Sequence, residues 1–246
     1  LGGMTTIDMS TGNAVVIANN TEVSGFTITN AGGDFDAGIF GNAVTGFDIN
    51  HNVLNGATFG LRLDGTNSGM VSDNMASGNA VGFFIGNLSG GTVSGNTASG
   101  NGDGFFIGNL SGGTVSGNTA SMNTSHGFLI NTLSGGMVSD NMASGNAVGF
   151  FIGNLSGGTV SGNTASGNGD GFDFGTIFGG TVSGNTADGN DFNGFEIFNF
   201  TGGNTATFMS NEALNNTLKG YNVLSGTPGT GTGTNTGSGN DSDDTF

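Results

Sequence analysis

The chain has no cysteine, no tryptophan, one proline and one tyrosine, and only two basic residues against 18 acidic ones in 246. Without cysteine there are no disulfides, no thiol chemistry and no thiolate metal ligands. Two cations cannot neutralise a row of phosphates. A net charge of −16 therefore excludes electrostatic binding to nucleic acid or to an anionic lipid surface. No stretch approaches the ~18 consecutive apolar residues of a membrane span, so no membrane insertion is expected. Residues 1–23 have neither the basic start nor the apolar core of an export signal. A chain opening on Leu1 is expected to be a processed protein or an excised piece of one. Arg62 and Lys219 are its only sites for trypsin-like proteases, and the composition points to an extracellular or cell-surface location.

In place of the missing residues stand 53 glycines and 21 phenylalanines. Glycine at this level without a Gly-X-Y period excludes collagen, and the phenylalanines argue against a disordered polar chain.

A repeat organises the rest. The 18 residues from Gly82 to Ser99 return unchanged at Gly104–Ser121, an offset of 22. A longer block, Gly69–Phe105, recurs as Gly136–Phe172, an offset of 67, because one intervening unit carries an extra residue near Ser121–Gly127. Degenerate units run from 24 to 226. A fixed period in this range means a solenoid. Inside the unit 90–111, Val93, Ala98, Phe105, Ile107 and Leu110 fall in short alternating runs separated by Gly and Asn, which is strand period rather than helix period. Three short strands per unit make one coil of a parallel β-helix. About nine coils at the inter-strand spacing of ~4.8 Å give a rod roughly 40 Å long.

Stacking superposes like residues. The expected inward rows begin with Phe83, Phe105 and Phe128, with Ile85, Ile107 and Ile130, with Val71, Val93 and Val115, and with Leu88, Leu110 and Leu133. Two asparagine rows recur, Asn74, Asn96, Asn118, Asn141, Asn163 and Asn185, and Asn79, Asn101, Asn123, Asn146, Asn168 and Asn190. Asparagine tolerates left-handed turn backbone and can bond the amide of its counterpart in the next coil. These rows are expected to be structural ladders.

The phrase GGTVSGNTASGNGDGFFI, residues 90–107, resembles the right-handed parallel β-helix repeat of the pectate-lyase-like superfamily. The resemblance covers about 24–226 and implies an all-β, right-handed parallel β-helix. It implies no single activity, because the superfamily includes polysaccharide lyases, hydrolases, epimerases, tailspikes, adhesins and surface proteins. Its lyases pair Ca²⁺-binding acids with an Arg or Lys base, and its hydrolases use paired Asp. Here Arg62 lies in LRLDG with Asp64, near Asp48 and His51, and this is the best catalytic candidate. Lys219 is roughly seven coils away. Carboxylate pairs between neighbouring coils, Asp170 or Asp173 with Asp188 or Asp191, are a second candidate. His126 is expected to be a loop residue.

Near-perfect copying weighs against an enzyme, since an active site needs one coil to differ. We expect no catalytic residue, no metal ligand and no cofactor. Between the inward Phe and Ile of each unit sits an outward residue, Phe84, Phe106, Leu129 and Phe151, followed by Asp173 and Glu196. The first four are expected to form an apolar stripe of the kind that marks a partner surface. Thr-x-Ser pairs, such as Thr92/Ser94 and Thr114/Ser116, resemble the hydroxyl rows of ice-binding proteins. The expected organisation is one β-helix domain, 1–226, and a Gly/Thr/Ser/Asp-rich tail, 227–246. The expected function is a self-associating fibre subunit whose partner is itself. A glycan-binding or glycan-cleaving β-helix is the alternative, with an extracellular glycan as partner, and ice binding comes third.

Overall fold

Each unit of about 22 residues closes into one coil of three strands. In the coil that begins at Thr97 these are Thr97–Ser99, Asp103–Leu110 and Thr114–Ser116. The computed structural model describes residues 5–8, 11–29, 36–227 and 234–242. Among them there is no helix, and the strands pair in parallel with the equivalent strand one unit on. Thr97 lies opposite Thr119, Phe105 opposite Phe128, and Thr114 opposite Met137. The fold is therefore the parallel β-solenoid that the period implied.

Corners and core follow from the repeat. The residue before most ladder asparagines turns the chain with positive φ, a glycine as at Gly95 (66°), an aspartate as at Asp73 and Asp140 (55° each), and in places a larger residue, His51 (54°) and Met122 (52°). Asparagine, aspartate and glycine are the residues that tolerate this backbone best. Inside, Phe83, Phe105, Phe128, Phe150, Phe172, Phe195 and Tyr221 stack with centroids 4.7–5.0 Å apart and planes within 10° of parallel. That distance is the strand spacing itself, so the ladder places the rings in contact without distortion. The Ile, Val and Leu rows are buried beside them. One coil could not bury these faces; its neighbours do.

Both asparagine rows are buried ladders. The Asn118 Oδ1 accepts the backbone N–H and the side-chain Nδ2 of Asn96, at 3.0 and 2.9 Å. Its own Nδ2 donates to Val93 O and to Asn141 Oδ1, both at 2.9 Å. The pattern repeats from Asn52 to Asn235 in one row and from Asn79 to Asn240 in the other. Longer coils keep the register, because extra residues bulge out at the links. Asn118 and Asn141 are 23 apart, and Asn185 and Asn211 are 26 apart.

The solenoid extends beyond the nine coils expected. One sheet holds eleven strands, from Thr5–Asp8 to Thr236–Ser238, which makes a rod of about 50 Å. Thr236, in the low-complexity tail, pairs with Glu212 of the preceding coil. Residues 228–233 and 243–246 of that tail lie outside the described residues.

The long strands, exemplified by Asp103–Leu110, present two adjacent outward rows. One runs Phe59, Val81, Asp103, His126, Val148 and Asp170. The other runs Phe40, Arg62, Phe84, Phe106, Leu129, Phe151, Asp173, Glu196 and Asn222.

Candidate functional site

These two rows carry most of the chemistry of the chain. At the N-terminal end Arg62 pairs with Asp64 at 2.9 Å. Its guanidinium lies 5.0 Å from the Phe59 ring centroid and 5.9 Å from those of Phe40 and Phe84. Among the described residues, Arg62 thus meets the Asp64 carboxylate and three aromatic rings. Asp48 and His51 do not join it. They belong to the neighbouring strand Thr45–Asn50 and its corner, where Asn50 bonds to both. Of the four residues expected to cluster, Arg62 and Asp64 pair, whereas Asp48 lies opposite Met70 at the far end of the strand Phe59–Ser72 and His51 at the corner beyond.

Phe84, Phe106, Leu129 and Phe151 follow in one row, each half-buried. Phe84 and Phe106 stack at 4.9 Å. His126 is not a loop residue. It begins the strand His126–Leu133, accompanies the Asp103 carboxylate at 2.9 Å and packs edge-on against Phe151. Burial pushes the Asp103 carboxyl up, but the hydrogen bonds and charge from His126 outweigh it, and its pKa falls below the usual value.

At the C-terminal end the outward row turns acidic. Oxygens of Asp170, Asp173 and Glu196 lie within 4.8 Å of one another. Asp173 is 7 % exposed, and its Oδ1 is buried without a hydrogen-bond partner. Burial, reinforced by the charges of Asp170 and Glu196, pushes its pKa up to about 8. Glu196 is raised too, by burial and by Asp170, against a hydrogen bond from Asn222. The carboxylates expected to pair with Asp188 or Asp191 meet Glu196 instead. Asp188 ends a strand of the other sheet, where Asn215 bonds to it, and Asp191 is exposed in a link. The alternation Phe-Asp-Phe at 172–174 was legible in the sequence. That Asp170 stands beside Asp173 required the strand geometry.

A solenoid of near-identical, ladder-stacked parallel coils with one decorated outer face is a β-helix repeat protein. The model of the periplasmic copper-binding protein NosD family matches residues 6–231, and the chain belongs to that family. No curated protein and no solved structure matches it.

The residues fit copper poorly. Copper in its soft state selects thiolate, thioether and imidazole donors. The two histidines, His51 and His126, stand in different coils, with the partners given above. Met70 and Met137 share a row, but they are three coils, or ~14 Å, apart, with Thr92 and Thr114 between. Met75 and Met142 repeat this spacing in the other sheet. Met4 and Met9 lie outside the described residues. Among the described residues, the donors that converge are the carboxylates of Asp170, Asp173 and Glu196.

Proposed function

We propose that this protein is a structural β-solenoid working outside the cytoplasm, that it performs no chemistry, and that its partner is another copy of itself. The observation that carries this reading is the outward row Phe84, Phe106, Leu129 and Phe151, an apolar stripe in register across four successive coils. Among the described residues, Thr5–Asp8 and Thr236–Ser238 stand last in the order of their sheet, and a strand edge left free templates further pairing. The periplasmic description of the family agrees with a location beyond the cytoplasm. Electron microscopy across a concentration series is expected to show filaments with an axial repeat of about 50 Å. Phe106→Asp is expected to raise the concentration needed for lateral association at least tenfold, because a charge would have to be desolvated at the contact. Single rods at every concentration refute the proposal. So does unchanged lateral association in the variant.

A glycan ligand is the second reading, favoured by an aromatic row that ends in three carboxylates. Sugar rings stack on such aromatic faces. Retention on a polysaccharide column that Phe84→Ala abolishes would support it. No retention on neutral or acidic polysaccharides would remove it.

A further inference from the structure

The duplication supplies an internal control for the acidic end of the face. Asp103 and Asp170 are the same residue in two copies of one 37-residue block. In each case the following link is one residue longer than the link before it, and it sets a polar side chain against that aspartate. After Asp103 this is His126, whose backbone N–H and ring contact the carboxylate at 3.1 and 2.9 Å. After Asp170 it is Asn193, whose backbone N–H and Nδ2 donate at 2.9 and 3.2 Å. Histidine can carry a positive charge there, whereas asparagine cannot. In the adjacent row, just beyond the identical blocks, Phe106 and Leu129 after the first are matched by Asp173 and Glu196 after the second. One copy therefore sets an imidazole against its aspartate beside apolar neighbours. The other gathers three carboxylates and lacks the imidazole.

Like charges this close, one of them buried, are costly unless a proton or a cation intervenes. Asp173, which brings an oxygen within 4.8 Å of those of Asp170 and Glu196, is buried and its Oδ1 has no hydrogen-bond partner. The cluster consists only of oxygen ligands, which suit hard cations. Between hard cations, a set of protein carboxylates suits the flexible coordination of Ca²⁺ better than the near-ideal, largely hydrated octahedron that Mg²⁺ demands. A hollow lined by Asn193, Leu218, Lys219, Asn222, Asp241 and Ser242 adjoins the two asparagines that bond Asp170 and Glu196, and it offers a way in. We propose that Asp170, Asp173 and Glu196 form a binding site for one divalent cation of Ca²⁺ size. The assignment holds whether or not the rods associate.

Calorimetric titration of the full chain, stripped with EDTA and kept at pH 8, tests it with CaCl₂. The expected result is one Ca²⁺ per chain with a dissociation constant between roughly 1 µM and 1 mM, and Mg²⁺ at least tenfold weaker. Asp173→Asn should weaken Ca²⁺ at least tenfold. Asp173→Phe, which restores the residue type of the first copy and so fits the row, should do the same. Asp103→Asn should leave Ca²⁺ binding unchanged. Absence of saturable Ca²⁺ binding in the parent chain overturns the proposal, and so does an unaltered dissociation constant in both Asp173 variants.

Discussion

Replacing Asn118 with alanine is expected to cost about 3–5 kcal/mol, the sum of several buried polar groups left unpartnered at ~1–3 kcal/mol each, less some relaxation. The side chain satisfies the backbone N–H and Nδ2 of Asn96, the carbonyl of Val93 and the Oδ1 of Asn141. Water cannot replace it, because both flanking asparagines are buried. Asn118→Asp keeps the acceptor but loses the donors and buries a charge, so it should be worse still. Ser99→Ala, on the outward side of a strand, should stay within ~0.5 kcal/mol. Denaturant unfolding measures the three, and hydrogen exchange should place the weakened amides in the coils on either side of Asn118, since contacts in a solenoid are between neighbours. A loss below 1 kcal/mol for Asn118→Ala would mean that the ladder contributes little.

In the absence of divalent ions, stability should fall between about pH 4 and pH 8, and Asp173→Asn should remove most of that fall. The native pKa of Asp173 is about 8, raised by burial and by Asp170 and Glu196. The folded chain thus holds this proton more tightly than the unfolded chain does. The stability it contributes is full below the ordinary carboxylate pKa, declines as pH rises through the native value, and is constant above it. Asparagine mimics the protonated form. At pH 8 the variant should exceed the parent by a few kcal/mol, the scale that such a shift implies. Glu196→Gln should remove a smaller part of the slope, because Glu196 is raised by burial and by Asp170 while Asn222 opposes. Asp103 acts in the other direction. Its lowered pKa contributes stability at neutral pH that is lost on acidification below the usual carboxylate range. Thermal melts of both variants against pH provide the check, and a parent curve flat from pH 4 to 8 would contradict the burial of Asp173.

The ladders, the core rows and the outward position of Phe84, Phe106, Leu129 and Phe151 were legible from the chain alone. A period of 22 together with strand alternation leaves each residue one partner in the next coil and one side to face. The acidic row after Phe151 was equally plain. The links were less so. The strand at Thr236–Ser238 sits in a segment whose composition signals only a tail. It forms because Asn235 and Asn240 accept from Asn211 and Asn216 of the preceding coil, a match visible only once that coil exists.

By itself, then, the sequence determined the solenoid, its core and its polarity of faces, because these depend on periodicity, and periodicity is local information repeated. The tertiary structure decided which side chains meet around the corners and across the links. It separated Arg62 from Asp48 and His51, gave His126 to Asp103, and closed Asp170, Asp173 and Glu196 into one cluster. Those encounters depend on where an inserted residue bulges and how a corner turns, and both are fixed only when the neighbouring coils hold the backbone in place.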